Sequence, residues 1–274
     1  MPDTTSLPSL TGTDEPMTTW ILLRGLTRES RHWGDFVDTF RRTMPDSRVV
    51  TIDLPGNGAL HHLTSPTDVR EIAAYCQKAL SRLGIAPPYN LLAMSLGAMV
   101  AVAWAHACPG EIARCVLINT SLRPFSPFYR RLRPRSYLPL LKLALFGGSR
   151  REWEERILSL TSRLRVGAAD VLDSWVTFRA EYPVTRKNAW RQLCAAARYR
   201  AGKENPGTAL LILASRNDGL VHVDCSVALA RAWNCPISIH PRAGHDIPLD
   251  DGPWVAAQVQ QWAESRDLDR SQGA

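Results

Sequence analysis

The pentapeptide Ala93-Met94-Ser95-Leu96-Gly97 sets one hydroxyl among small residues, where an apolar run gives way to a helical pattern. A serine at such a corner can serve as a nucleophile. The tight strand-to-helix turn exposes its hydroxyl, and strand and helix approach so closely that side chains two positions away must be small. The pattern is G-x-S-x-G with alanine replacing the first glycine, one added methyl that the turn can hold. The helix N-terminus also puts positive partial charge beside an anionic intermediate. The plain alternative is a serine that caps a helix, and the pentapeptide alone does not separate the two.

A serine nucleophile needs a base to take its proton and an acid to hold that base. Of the seven histidines, His245 lies in "PRAGHDIPLDD", a glycine-flanked loop after the last expected strand. His240 falls inside that strand and reads as structural, His106 lies on the helix behind the serine, and His61 and His62 follow a turn. His222 is the second choice. The acid should end a strand, and "LLILASRNDGLV" turns from apolar to polar at Asn217-Asp218-Gly219, which selects Asp218. Asp246, Asp250 and Asp251 lie too close to His245 in sequence to reach its far ring nitrogen easily, and they read as negative charge at a helix N-terminus. Nucleophile, acid and base then follow in the order Ser95, Asp218, His245, each just after an expected strand.

The elements that must position them are legible as alternating patterns. Short apolar runs at Thr19–Leu23, Val49–Ile52, Tyr89–Ala93, Cys115–Ile118, Ala209–Ala214 and Ile237–Ile239 lack strict alternation, as strands buried on both faces of a mainly parallel sheet do. A helix capped by Asp68 runs with helical spacing from Val69 to Leu83 and stops at Gly84. A second starts after Ser95 and ends before Pro109, and a third closes the chain near Trp254–Glu264. Strand and helix in alternation give a doubly wound α/β sheet. The rhythm breaks from Ser121 to about Lys203, where Arg-Pro-rich stretches precede helical patterns at Trp153–Leu164 and Ala168–Arg179. The expected organisation is a core of residues 17–120 and 204–265, a helical cap at 121–203, and loose tails at 1–16 and 266–274.

Composition bounds the class. The chain has 274 residues, 45% of them hydrophobic and 22% charged, enough for one substantial core. No apolar run reaches the roughly 18 residues of a membrane span, and no basic segment followed by an apolar stretch marks a secretory signal. Six cysteines without C-x-x-C spacing read as reduced core residues of a cytoplasmic protein rather than a disulfide framework or zinc site. The net charge is +7, but residues 121–203 hold 18 Lys and Arg against 6 Asp and Glu. Such a segment suits an acidic partner or a phosphate-bearing surface. The arginines come without a nucleic-acid recognition motif.

With these residues placed, the chain resembles the α/β-hydrolases from about Thr18 to Ser265. Within them it is most similar to the branch of the pimeloyl-acyl-carrier-protein methyl ester esterases. Besides the elbow, the resemblance is carried by "LLRGLTRESRHW" (22–33), "DLPGNG" (53–58), "NDGLV" (217–221) and "AGHDIPLDDGPWV" (243–255). It implies an α/β-hydrolase fold and an oxyanion hole made by the backbone N–H groups of Leu26 and Leu96. Asp53 matches a family residue and is expected to organise its loop. The first stretch departs from the family's His-Gly: here the pair is Arg24-Gly25, so Arg24 either supports the loop or offers charge near the acyl site.

The expected reaction is two-step acyl transfer to water through Ser95, His245 and Asp218, with no metal and no organic cofactor. Arg24, Met94, Leu122, Phe125, Phe128 and Tyr129 are expected near the substrate, which favours an acyl or small aromatic group, although ordinary packing explains the apolar ones as well. Arg130, Arg131, Arg133 and Arg135 would steer an acidic acyl carrier protein, or form a solvated face. Beside "YLPLLKLALF" (137–146) they could also rest on an anionic membrane surface. The substrate class expected is a small-molecule or carrier-bound acyl ester. A thioesterase or acyltransferase with the same triad, and a non-catalytic binding protein on the same fold, are the alternatives.

Overall fold

Six parallel strands lie in the order β2-β1-β3-β4-β5-β6 in the computed structural model, which describes residues 18–272. They are β1 (Thr18–Leu23), β2 (Ser47–Ile52), β3 (Tyr89–Met94), β4 (Ile112–Ile118), β5 (Ala209–Ser215) and β6 (Ile237–His240). All pairings are parallel. Each expected run is a strand, and four match the apolar pattern that marks them to within one residue at both ends. β2 starts earlier, at the polar Ser47-Arg48, and β4 at Ile112, which Arg114 separates from the apolar run.

Alternate side chains of each inner strand feed two separate cores. Ile21, Leu23, Leu91, Ala93, Cys115, Leu117 and Ile212 pack on one face. There they meet α2 (Val69–Arg82), α3 (Leu96–Ala107) and α9 (Val223–Trp233). Trp20, Leu22, Leu92, Met94, Val116, Ile118, Leu211 and Leu213 pack on the other. That face is covered by α1 (Phe36–Thr43) and α11 (Gly252–Gln272). Burial on both faces is why the strand sequences read as unbroken apolar runs. Asp68 caps α2 as its sequence indicates, its Oδ1 accepting from the Arg70 N–H at 2.8 Å.

Between β4 and β5 the chain leaves the sheet and makes five helices: α4 (Phe128–Arg131), α5 (Tyr137–Phe146), α6 (Arg150–Thr161), α7 (Ala169–Glu181) and α8 (Arg186–Arg198). A short helix, α10 (Ile247–Asp250), precedes α11. α11 runs to Gln272, so the polar end expected to be loose from Arg266 is helical to that point. The expected N-terminal tail lies outside the described residues.

Candidate active site

Ser95 joins β3 to α3 with φ +54° and ψ −115°. A non-glycine residue at positive φ is held there only by surroundings that over-determine it. Its N–H donates to Ile118 O at 3.0 Å, and its carbonyl accepts from Ala98 N–H at 3.1 Å and from the Thr120 hydroxyl at 3.2 Å. From Leu91 to Val100 it is the one residue that is not fully buried. The small neighbours have a direct cause. A Cβ on Gly97 would fall 2.5 Å from both Leu23 O and Arg24 O, and one on Gly25 would fall 3.1 Å from Ser95 Cβ. The end of β1, the turn and the start of α3 thus meet backbone to backbone. Ala93, fully buried in the first core, shows that one methyl fits at the other flanking position.

Asp218 and His245 meet beyond the ends of β5 and β6, where Asp218 Oδ2 lies 2.7 Å from His245 Nδ1. The other carboxylate oxygen accepts from the N–H groups of Leu220 at 2.7 Å and Val221 at 2.9 Å. Both side chains are almost wholly buried, 2% and 5% exposed. Burial pushes the imidazole pKa down, but the charge and hydrogen bond of Asp218, helped by Asp246, outweigh it and leave it raised.

Two neighbouring residues connect this pair to the serine. Asn119, after β4 and itself at φ +44°, donates through Nδ2 to His245 O at 2.7 Å. Its Oδ1 accepts from Ser215 N–H at 2.8 Å. Thr120, the next residue, bonds Ser95 O. Among the described residues no hydrogen bond joins the Ser95 hydroxyl to His245; the three side chains share one rim of the sheet.

Leu96 opens α3, so its N–H has no acceptor one turn back. Leu26 follows Gly25, which lies against Ser95, and the loop there is pinned from outside. Thr27, at φ +57°, donates its N–H to Gln192 Oε1 at 2.9 Å, and Arg28 donates to Glu154 Oε2 at 2.7 Å. Gln192 is fully buried and also donates to Asn57 Oδ1 at 2.7 Å. Beside this loop His32 is held well below the usual histidine range, by burial first and then by Arg28 and Arg24. Asp53 organises its loop as expected from the sequence, accepting from Ser30 N–H at 2.7 Å and from Ala59 N–H at 3.0 Å.

The residues expected near the substrate fall differently. Arg24 is buried, and its guanidinium is taken up by Asp246 rather than offered to a ligand. Nη1 donates to Oδ1 at 3.1 Å and Nη2 to Oδ2 at 2.5 Å. Met94 is buried in the second core, its sulfur 3.6 Å from Arg24 Nη1. Leu122 is buried in the first core, and the half-buried Phe125 packs against it, edge-on to Trp233. Phe128 and Tyr129 stand out to solvent, 74% and 49% exposed.

Three of the four arginines expected to meet a partner are engaged by the molecule's own main-chain carbonyls. Arg131 donates to Ala196 O at 2.7 Å. Arg133 and Arg135 both donate to Asp218 O, at 2.8 and 3.0 Å. Arg130 pairs with Asp224 at 3.1 Å across a half-exposed contact. The sequence signal was charge; the main-chain carbonyls that receive it carry no signal at all.

His240 is structural, its Nδ1 accepting from Ala243 N–H at 2.8 Å. The three aspartates after His245 do more than charge a helix. Asp251 does cap α11 through Trp254 N–H at 3.1 Å. Asp250 instead reaches the end of α6, accepting from Arg163 N–H at 2.9 Å and, back in its own loop, from Gly244 N–H at 2.6 Å. Asp246 carries the pair with Arg24. Among the described residues no three His, Cys, Asp or Glu side chains are grouped to hold a metal ion.

The sequence profile of the alpha/beta hydrolase family matches residues 20–258, and the chain belongs to that family. Solved structures agree on the fold. A thermophilic esterase from Thermogutta terrifontis is 17% identical over 90% of each chain, with a TM-score of 0.72. The 2-hydroxy-6-oxo-6-phenylhexa-2,4-dienoate hydrolase of Rhodococcus sp. strain RHA1 is 15% identical over 90% of each chain, at 0.71. A hydrolase from Pseudomonas aeruginosa PA01 is 17% identical over 90% of this chain and 89% of its own, at 0.70. No curated protein matches the sequence.

Proposed function

We propose that the protein is a serine hydrolase that cleaves carboxylic esters of acyl groups. Ser95 is the nucleophile, His245 the base, Asp218 the acid that orients it, and the N–H groups of Leu26 and Leu96 the oxyanion hole. The observation that carries the reading is the buried Asp218–His245 contact at 2.7 Å, tied through Asn119 and Thr120 to a serine at positive φ. With Nδ1 engaged by the carboxylate, Nε2 is the nitrogen free for the serine, the tautomer that proton abstraction needs.

His245 takes the Ser95 proton as the oxygen attacks the carbonyl carbon. The tetrahedral oxyanion sits against the two N–H groups, each worth about 3 kcal/mol of barrier. His245 then protonates the leaving alkoxide, and an acyl-serine remains. Water, deprotonated by the same imidazole, releases the acid. Asp218 stays ionised throughout. Catalytic hydrogen bonds in a free enzyme commonly tighten only when substrate binds, and the Ser95–His245 link belongs to that step.

The helices between β4 and β5 form the cap of this reading, over a core of residues 17–120 and 204–265. The arginines of residues 121–149 give no support to an acidic acyl carrier as the bearer of the ester, since Arg131, Arg133 and Arg135 are engaged by main-chain carbonyls and Arg130 by Asp224.

The test is a panel of p-nitrophenyl esters and acyl thioesters given to the wild type and to Ser95→Ala, with fluorophosphonate labelling of both. Ester turnover is expected to drop at least about a thousandfold in a folded variant that no longer labels. Equal turnover in the two proteins refutes the assignment, and preference for thioesters moves the substrate class.

A further inference from the structure

Arg24 and Asp246 occupy two loops of the site, and neither is needed to do its chemistry. Arg24 immediately precedes Gly25 and Leu26. Asp246 immediately follows His245. They are 222 residues apart in sequence, both 2% exposed, and joined through two parallel N–H···O contacts. A bidentate arginine–carboxylate pair fixes orientation as well as distance. The guanidinium is fixed further by the Trp33 ring, whose centroid lies 4.7 Å from Arg24 Cζ. The Asp246 backbone is fixed by its N–H, which donates to Thr161 O at 2.8 Å.

We propose that Arg24 and Asp246 are a positioning pair: one buried brace that sets the loop carrying the oxyanion donor Leu26 against the loop carrying the base His245. The proposal rests on the reading of Ser95, Asp218 and His245 as a triad, and adds to it a pair that touches no reacting atom.

The brace also has an electrical consequence. The charged groups acting on the imidazole are Asp218, Asp246 and Arg24; both carboxylates favour the imidazolium and Arg24 opposes it. Asp246 and Arg24 act on the imidazole in opposite senses. Removing one leaves the other uncompensated in a buried place, which shifts the base and strains the fold, whereas removing both leaves no unpaired charge there.

The experiment measures kcat, KM and the pH profile of kcat/KM on a p-nitrophenyl ester for Arg24→Met, Asp246→Asn, the double variant and Arg24→Lys, with thermal melts of each. Each single replacement is expected to lower kcat about tenfold to a hundredfold with KM nearly unchanged, the scale of a small misplacement of reacting groups. The acidic limb moves to lower pH in Asp246→Asn and to higher pH in Arg24→Met. The double variant returns the limb toward the wild-type position and loses less than the product of the single losses. Arg24→Lys keeps the charge but not the fork, so kcat falls while the limb stays. It carries the test if Arg24→Met does not fold.

Limbs that do not move, or single losses that simply multiply in the double variant, overturn the proposal. Ser95→Ala assayed alongside separates the two failures. Activity retained there removes the triad reading and the brace with it. Activity lost there, with unmoved limbs elsewhere, removes the brace alone.

Discussion

At Ser95 a single residue gathers constraint from three directions: β4 through Ile118, the Thr120 hydroxyl, and the end of β1 through Gly97. The last is the most exacting. A methyl on Gly97 would meet two backbone oxygens at 2.5 Å, and backbone cannot swing aside as a side chain can. Gly97→Ala is therefore expected to cost about 1–3 kcal/mol of stability by overpacking, and to remove activity beyond that by prising Leu96 away from Gly25. A melt together with ester turnover checks both; a variant as active as wild type contradicts the contact. Ala93→Gly, by contrast, only relaxes the turn, and keeps activity. The raised pKa of His245 gives the sign of the pH response. In the role proposed for it His245 must be neutral to act, so the acidic limb of kcat/KM should lie above the usual histidine value of about 6.5. A limb below that value contradicts the balance of Asp218 over burial.

Among the elements, the loop between β1 and α1 depends on α8. Gln192 supplies the acceptor for Thr27 N–H and a donor to Asn57 Oδ1, and replacing it with leucine takes both bonds away. Gln192→Leu is expected to cost roughly 1–3 kcal/mol and to lower kcat more than it raises KM, read from melts and initial rates. The strands were legible in the sequence because both their faces are buried, and the elbow because close backbone approach demands Gly97. Asp218 and His245 were legible because polar residues that end apolar runs face the same rim. The pins were not. Asn119, Gln192 and Asp250 are single polar residues whose partners lie far along the chain, and no periodicity announces them. The Arg24–Asp246 pair was hidden for the same reason, since each residue had a sufficient local explanation. The arginines of α4 and the segment after it misled, because charge in a sequence does not say whether it faces water or a carbonyl.

Over the whole molecule, the segment between β4 and β5 is built into the site. A Cβ on Gly219 would fall 2.5 Å from Leu160 O, and one on Gly244 would fall 2.6 Å from Thr161 O. The end of α6 thus rests directly on the loops that carry Asp218 and His245. Asp250 bonds both sides of that junction, and Arg133 and Arg135 hold the Asp218 carbonyl. Asp250→Ala strips acceptors from Gly244 and Arg163 N–H groups and should cost about 1–3 kcal/mol, seen as a fall of several degrees in melting temperature together with lost turnover. A stable but inactive protein would show that the junction serves the site alone; a fully active one would contradict it. The thiols of Cys76, pushed up to about 12, and Cys115, also raised, are buried and protonated and should resist modification until the chain unfolds. The abutment of α6 on two glycines also bears on anyone building chimeras. A lid grafted from a relative to change substrate preference would have to bring its own stretch equivalent to residues 160–164. Otherwise the graft would leave the loops of Asp218 and His245 without that support, however well its outer helices suited the new ligand.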